Sequence, residues 1–259
     1  MKKHLAVLSF LGCLLLTLTF TFASDPATFT QFSTIEALMA GAYDGQVTCQ
    51  ELLAHGDLGL GTFDKLDGEM TVLNGKVYQV KADSQVYTPA PQLTTPFAEI
   101  VKFTPSIKLA VKPGTDLPGL EKAINNAVAN PNIFGAVKIT GRFAAVKARS
   151  IPAQQKPYPP LLEAAKHQAV FDLKDISGTM VGFRGPDYAQ GITVPGFHLH
   201  FISGDGKSGG HVLGFAVTEA TAEIAPITRF LLILPEKDGT FSKLQLGRDR
   251  SQDLLQIEK

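Results

Sequence analysis

Three histidines lie close together in this chain, as His198-Leu199-His200 and, after ten further residues, His211. Successive side chains alternate across a β-strand, so His198 and His200 share a face about 6–7 Å apart at the backbone. Two imidazoles at that spacing can converge on one ion. The segment Ser203-Gly204-Asp205-Gly206-Lys207-Ser208-Gly209-Gly210 is rich in turn formers and predicts a return strand that sets His211 beside the first pair. Neutral imidazoles suit zinc, and three protein ligands leave a fourth position open for water or substrate, as a catalytic site requires. Calcium prefers oxygen ligands. Spacing alone does not name a reaction. Hydrolysis, hydration, oxygen chemistry and decarboxylation are all open to such a site, whereas a purely structural zinc would normally have a fourth protein ligand. His55 and His167 have no such company and read as structural or surface residues. Asp205 and Lys207 read as turn residues.

Longer words surround these ligands. Val194-Pro195-Gly196-Phe197-His198-Leu199-His200-Phe201, followed by Ser208-Gly209-Gly210-His211-Val212, closely resembles the metal-binding signature of the alpha-acetolactate decarboxylases. The resemblance continues in Gly59-Leu60-Gly61-Thr62-Phe63, Leu66-Asp67-Gly68-Glu69-Met70, Val146-Lys147-Ala148-Arg149 and Pro157-Tyr158-Pro159, and covers the chain from about residue 32 to its end. It implies that 2-acetolactate loses carbon dioxide to give acetoin, with zinc bound by the three histidines. It further implies that Glu69 and Arg149 lie in the active site, that a glutamate near the C-terminus approaches the metal, and that the protein is a homodimer. Glu258 is the closest match by position for that glutamate.

The implied chemistry suits these residue types. Loss of carbon dioxide leaves an electron pair on carbon, which the neighbouring ketone can take up as an enediolate, and zinc would stabilise the developing charge as a Lewis acid. A planar guanidinium at Arg149 could hold the substrate carboxylate. Glu69 or Arg149 could deliver the final proton. Without the resemblance, Glu69 reads as a solvated turn carboxylate beside Asp67-Gly68, and Arg149, alternating with Lys147, as part of a solvent face. Two rival functions stay open: an exported zinc hydrolase, in which Glu69 would activate a metal-bound water, and a binding module that sequesters metal or a small acid.

The rest of the chain must position these groups. Its 24 basic and 24 acidic residues balance over 259 residues, with no basic stripe of the kind nucleic-acid binding needs. Lys2 and Lys3, the apolar run from Leu5 to Phe22 and the small residues of Thr21-Phe22-Ala23 predict a cleaved signal peptide over residues 1–23 and a secreted product free of the membrane. A retained anchor and a lipoprotein cysteine at Cys13 are the competing readings. Cleavage would leave Cys49 alone, without an intrachain disulfide, packed as a small apolar residue on a short helix.

Past a short polar leader at 24–31, Ser33 and Glu36 form a capping box for a short helix that stops at Gly41, and Thr48 caps a second through Leu53. Met70–Leu73, Asn74-Gly75 and Lys76–Val80 form a hairpin signal, because Asn-Gly suits a type I′ turn. Strands follow at 97–103, 106–111, 134–140 and 142–149, with a helix at 117–129 that sets Leu120, Ile124 and Val128 on one face. Four prolines between residues 152 and 160 mark a boundary between halves at 24–150 and 151–259. Strands at 169–174, 178–183, 197–202, 211–217 and 229–234 complete the pattern. The expectation is an α+β protein, mostly β, with a mixed sheet in the N-terminal half and a barrel-like β half at the C-terminus that carries the zinc ligands.

Overall fold

A computed structural model of the chain describes residues 27–236 and 240–258; the signal peptide read over residues 1–23 lies outside them. The N-terminal strands are β1 (Thr28–Phe32), β2 (Val47–Thr48), β3 (Leu58–Thr62), β4 (Glu69–Leu73), β5 (Lys76–Val80), β6 (Val86–Tyr87), β7 (Thr94–Thr95), β8 (Ala98–Val101) and β9 (Ile107–Val111). Long strands follow: β10 (Phe134–Ser150), β11 (Ala169–Gly185), β12 (Gly196–Ser203) and β13 (Gly209–Ile227), then the short β14 (Arg229–Ile233). The helices are α1 (Ile35–Met39), α2 (Cys49–Leu53), α3 (Leu117–Val128), α4 (Leu161–Ala165) and α5 (Ser251–Glu258).

Among the described residues, one mixed sheet runs in the order β14-β1-β8-β3-β4-β5-β6, with β1 parallel to β14 and its other neighbours antiparallel. A second sheet runs β10-β11-β12-β13-β9, and a further β10–β13 pairing closes four of its strands into a ring. The chain is thus mostly β, with a mixed sheet and a barrel-like ring. Each sheet borrows across the proline-rich stretch: β14 joins the first, and β9 and β10 join the second.

Local physics explains much of this. Asn74 and Gly75 both take positive φ, 52° and 73°, as the tight turn between β4 and β5 requires. Thr48 and Glu51 exchange side-chain and backbone bonds as a capping box on α2, which buries Cys49. The apolar face of α3, with Leu120, Ile124 and Val128, buries against Val137, Ile139 and Phe143 of β10 and Ala222 and Ile224 of β13. At Gly182 an added Cβ would meet the His198 carbonyl oxygen at 1.9 Å, so glycine there lets β11 lie close to β12 beside the histidines.

Several local expectations change. The cap of α1 is Thr34, whose side chain accepts from the Ala37 N–H, rather than Ser33, which turns the chain at φ 64°. The expected polar leader holds β1 instead, buried because β14 and β8 flank it and Phe29 stacks on Phe183 at 4.4 Å between ring centroids. The pairs of strands expected at 134–149 and 169–183 are single long strands, β10 and β11. Shifts of register absorb the irregularity in β10, which therefore bends without ending. The helices α4 and α5 have no counterpart in the sequence reading.

Candidate metal centre

The site forms where the mixed sheet meets the ring, on the face of β10, β12 and β13 opposite Ala148, Leu199, Phe201 and Val212, which pack with α3. His200 lies opposite His211 in the β12–β13 pair, and His211 lies opposite Arg149 in the β13–β10 pair, so three adjacent strands place the three residues in a row. His198 sits two residues from His200 on the same face of β12. The two strands are antiparallel and joined by the predicted turn, in which the Asp205 carboxylate accepts from the Ser203 hydroxyl and the Lys207 N–H. One imidazole nitrogen from each histidine lies within 4.8 Å of the others, and all three side chains are buried.

Carboxylates enter from other elements. Glu69 opens β4 in the mixed sheet, and its Oε1 accepts from Arg149 Nη1 at 2.7 Å. Its Oε2 lies 3.6 Å from His200 Nε2. Glu258 closes α5, whose Leu254 and Ile257 bury against Leu38, Met39, Leu161 and Phe97; the helical repeat then turns Glu258 to the same side. Its Oε2 stands 3.6 Å from His211 Nε2 and 4.0 Å from His198 Nε2. Glu99, fully buried on β8, approaches His198 from behind, with Oε2 3.8 Å from Nδ1. The sequence reading missed Glu99. Its signal was a lone carboxylate inside Phe97-Ala98-Glu99-Ile100-Val101, an otherwise apolar strand.

All the residues singled out for chemistry, His198, His200, His211, Glu69, Arg149 and Glu258, therefore line one cavity of about 30 Å³, room for an ion and one or two small oxygen ligands. A roomier hollow of about 260 Å³, walled by Val194, Pro195, Phe197, Leu254 and Leu255, also reaches Glu258. A larger surface hollow, about 580 Å³, surrounds Arg184, whose guanidinium is already held by Asn125 and the carbonyls of Ile133 and Pro131. Size does not select the site; converging donors do. His55 instead lies edge-on to Phe32, and His167 is exposed on the turn after α4.

Burial governs the electrostatics. It holds His198 and His211 well below the usual imidazole range and His200 down to about 3, helped in each case by the Arg149 charge. All three are neutral near pH 7, as ligands must be. Burial also raises Glu69, against the pull of Arg149, and raises Glu258 to about 7. Glu99 is pushed up to about 8 by burial, against the Thr193 hydrogen bond. His200 Nδ1 lies 2.7 Å from the Met70 carbonyl oxygen, which fixes its proton there and leaves the Nε2 lone pair toward the cavity. Among the described residues, His200 Nε2, His211 Nε2 and Glu258 Oε2 are buried without a hydrogen-bond partner. Orphaned buried polar atoms are costly, on the order of 1–3 kcal/mol each. Three neutral imidazoles with a neighbouring carboxylate fit a divalent metal ion, which would satisfy all of them at once.

Comparison with known proteins places this geometry. The profile of the family described as alpha-acetolactate decarboxylase matches residues 29–248. The chain is 42% identical over 229 residues to the alpha-acetolactate decarboxylase of Methanosarcina mazei, covering 88% of this chain and 79% of that protein. It is 36% identical to the Bacillus subtilis strain 168 protein of the same name, covering 88% and 89%. A crystal structure of alpha-acetolactate decarboxylase from Bacillus subtilis strain 168 superposes with a TM-score of 0.87 at 35% identity, over 89% of this chain and 99% of that one.

Proposed function

This chain belongs to the alpha-acetolactate decarboxylase family, and from that premise we propose that it converts 2-acetolactate to acetoin and carbon dioxide with a zinc ion held by His198, His200 and His211. The observation that carries the reading is the convergence of three neutral, buried imidazoles beside the Glu69–Arg149 pair. Bound there, zinc would act as a Lewis acid on the substrate oxygens and favour the developing negative charge.

The chain's own residues do the rest. Arg149 is 4% exposed and anchored through Nη1 on Glu69, while its Nε has no partner among the described residues. The guanidinium is thus held in place with donors to spare for a carboxylate. Ile35, Leu38, Leu66, Phe97 and Leu161 line the cavity with apolar surface. They keep water from the carboxylate that must be lost and strengthen every polar contact inside. Breaking the bond to the carboxyl carbon leaves its electron pair on the substrate, delocalised into the neighbouring carbonyl, and one proton must then reach carbon. Glu69 is the donor we assign: Oε1 is committed to Arg149, Oε2 faces the cavity, and burial favours the protonated form. Glu258 closes the cavity from α5 and approaches His198 and His211.

Purified protein given 2-acetolactate should release acetoin and carbon dioxide over many turnovers, and a strong chelator should abolish both. Absence of acetoin alongside ester or amide hydrolysis would favour a metal-bound water as nucleophile. Substrate binding without turnover would leave only sequestration. We further propose that residues 1–23 direct export and are removed, so that the secreted enzyme works free of the membrane, as a homodimer, without nucleic acid.

A further inference from the structure

A histidine can serve a metal through one nitrogen only if the other has somewhere to place its proton, and the partner that accepts it fixes both tautomer and ring orientation. At His200 that partner is the Met70 carbonyl. At His198, Nε2 faces Glu258 and the cavity, while Nδ1 faces Glu99 Oε2 at 3.8 Å. Among the described residues neither His198 Nδ1 nor Glu99 Oε2 has any hydrogen-bond partner, and both are buried. At His211, Nδ1 also lacks one among the described residues.

Glu99 is unusual for its place. It sits mid-strand in β8, paired across to Gln31 on β1 and Leu60 on β3, and is fully buried. No lysine or arginine forms a salt bridge with it among the described residues, and the basic side chain that approaches it is the His198 imidazole. A buried carboxylate without a cation is expensive, so the fold needs a reason to hold it there. Its other oxygen is held by the Thr193 hydroxyl, from the loop leading into β12. Thr193 is itself buried. One oxygen is thus pinned, and the other is aimed at the back of a ligand.

We propose that Glu99, held by Thr193, is a positioning residue that accepts the Nδ1 proton of His198 and so presents its Nε2 lone pair to the metal. This rests on the reading of the three histidines as a metal site. At 3.8 Å the two atoms stand beyond hydrogen-bond length, and with no competing partner a small rotation of either side chain brings them together. Glutamine at position 99 would still offer a carbonyl to His198 and an amide to Thr193. Leucine would offer neither, and valine at position 193 would release the carboxylate.

The test uses the full chain, purified and made metal-free, with zinc alone as the probe. The zinc affinity of Glu99→Leu, Glu99→Gln and Thr193→Val is measured by competition with a chromophoric chelator. Ring nitrogen–proton correlation spectra of the zinc-loaded proteins report the tautomer of His198. Glu99→Leu should bind zinc roughly 10–100-fold more weakly, the scale of a lost outer partner. Glu99→Gln should lose only about 3–10-fold, because its carbonyl still accepts the His198 proton and lacks only the charge that a carboxylate takes on beside a bound cation. Thr193→Val should fall between wild type and Glu99→Leu. In wild type the His198 proton should sit on Nδ1, with a signal that shifts in Glu99→Gln. If Glu99→Leu fails to fold, the other two variants decide the matter. Affinities for both within twofold of wild type, with unshifted His198 signals, would overturn the proposal while leaving the metal reading intact. Failure of the wild-type chain to bind zinc would instead overturn the metal reading on which it rests.

Discussion

Replacing Glu69 by glutamine keeps the side chain's volume and an oxygen facing Arg149, but removes an ionisable carboxyl that pairs with the guanidinium at 2.7 Å when charged and delivers a proton from Oε2 when protonated. At that separation and an effective dielectric of about 20, the attraction between unit charges is roughly 6 kcal/mol. Desolvation of two buried ions offsets most of it, and the remaining amide hydrogen bond recovers part of the rest. The expected net cost is about 1–3 kcal/mol of folding stability, so the variant should still fold. Zinc content should stay near that of wild type, because the nitrogens of the three histidines are untouched. Turnover should fall by about 10²-fold or more, the scale of a lost general acid in a water-poor site. Arg149→Lys is the companion. It keeps a charge but loses the planar fork, so part of its loss should appear as a raised KM. Acetoin formation under saturating and limiting substrate, zinc content and thermal melts on the same preparations separate these effects. The two residues touch, so the double variant should lose less than the product of the single losses. Folded, zinc-loaded Glu69→Gln and Arg149→Lys proteins with near-normal kcat/KM would refute the assignment of both residues.

Further outcomes follow from the same geometry. His198→Ala, His200→Ala or His211→Ala should each remove both zinc and activity, since three ligands converge on one point, while His55→Ala and His167→Ala retain both; full metal in His200→Ala would sink the assignment. In metal-free protein the folded pKa of Glu258, about 7, lies above its ordinary 4.5. Its contribution is therefore fully present below about pH 4.5 and is lost as the pH rises through about 7. Glu258→Gln should consequently gain on wild type between pH 5 and pH 8, by at most roughly 3 kcal/mol, since lifting α5 lets water reach the carboxylate. A stability difference that does not vary with pH would contradict the burial of that group. Protein recovered outside the cell should begin at or close to Ser24, and an intact Lys2-Lys3 terminus on a membrane-bound product would count against export.

What could be read from the sequence was local. The period of a strand puts His198 and His200 on one face whatever surrounds them, and the Gly-rich turn before His211 returns the chain in register. Asn74-Gly75, the Thr48–Glu51 capping box and the apolar stripe of α3 are likewise settled within a few residues, by backbone conformation and helical repeat. The longer motifs carried the family. Burial was not legible. Lys147 and Arg149 share one face of β10, yet the first is exposed and the second buried, because the mixed sheet meets Arg149 through Glu69 of β4. Glu69 looked like a solvated turn carboxylate, and becomes the counter-ion of Arg149 only when β4 and β10, 80 residues apart, are brought together. The strand β1 read as a polar leader because two sheet neighbours from distant parts of the chain supply its burial. Glu99 and Glu258 acquire meaning in the same way, from a partner strand and a closing helix. A carboxylate's role depends on whether water, a cation or an imidazole stands beside it, and here tertiary packing alone decides which.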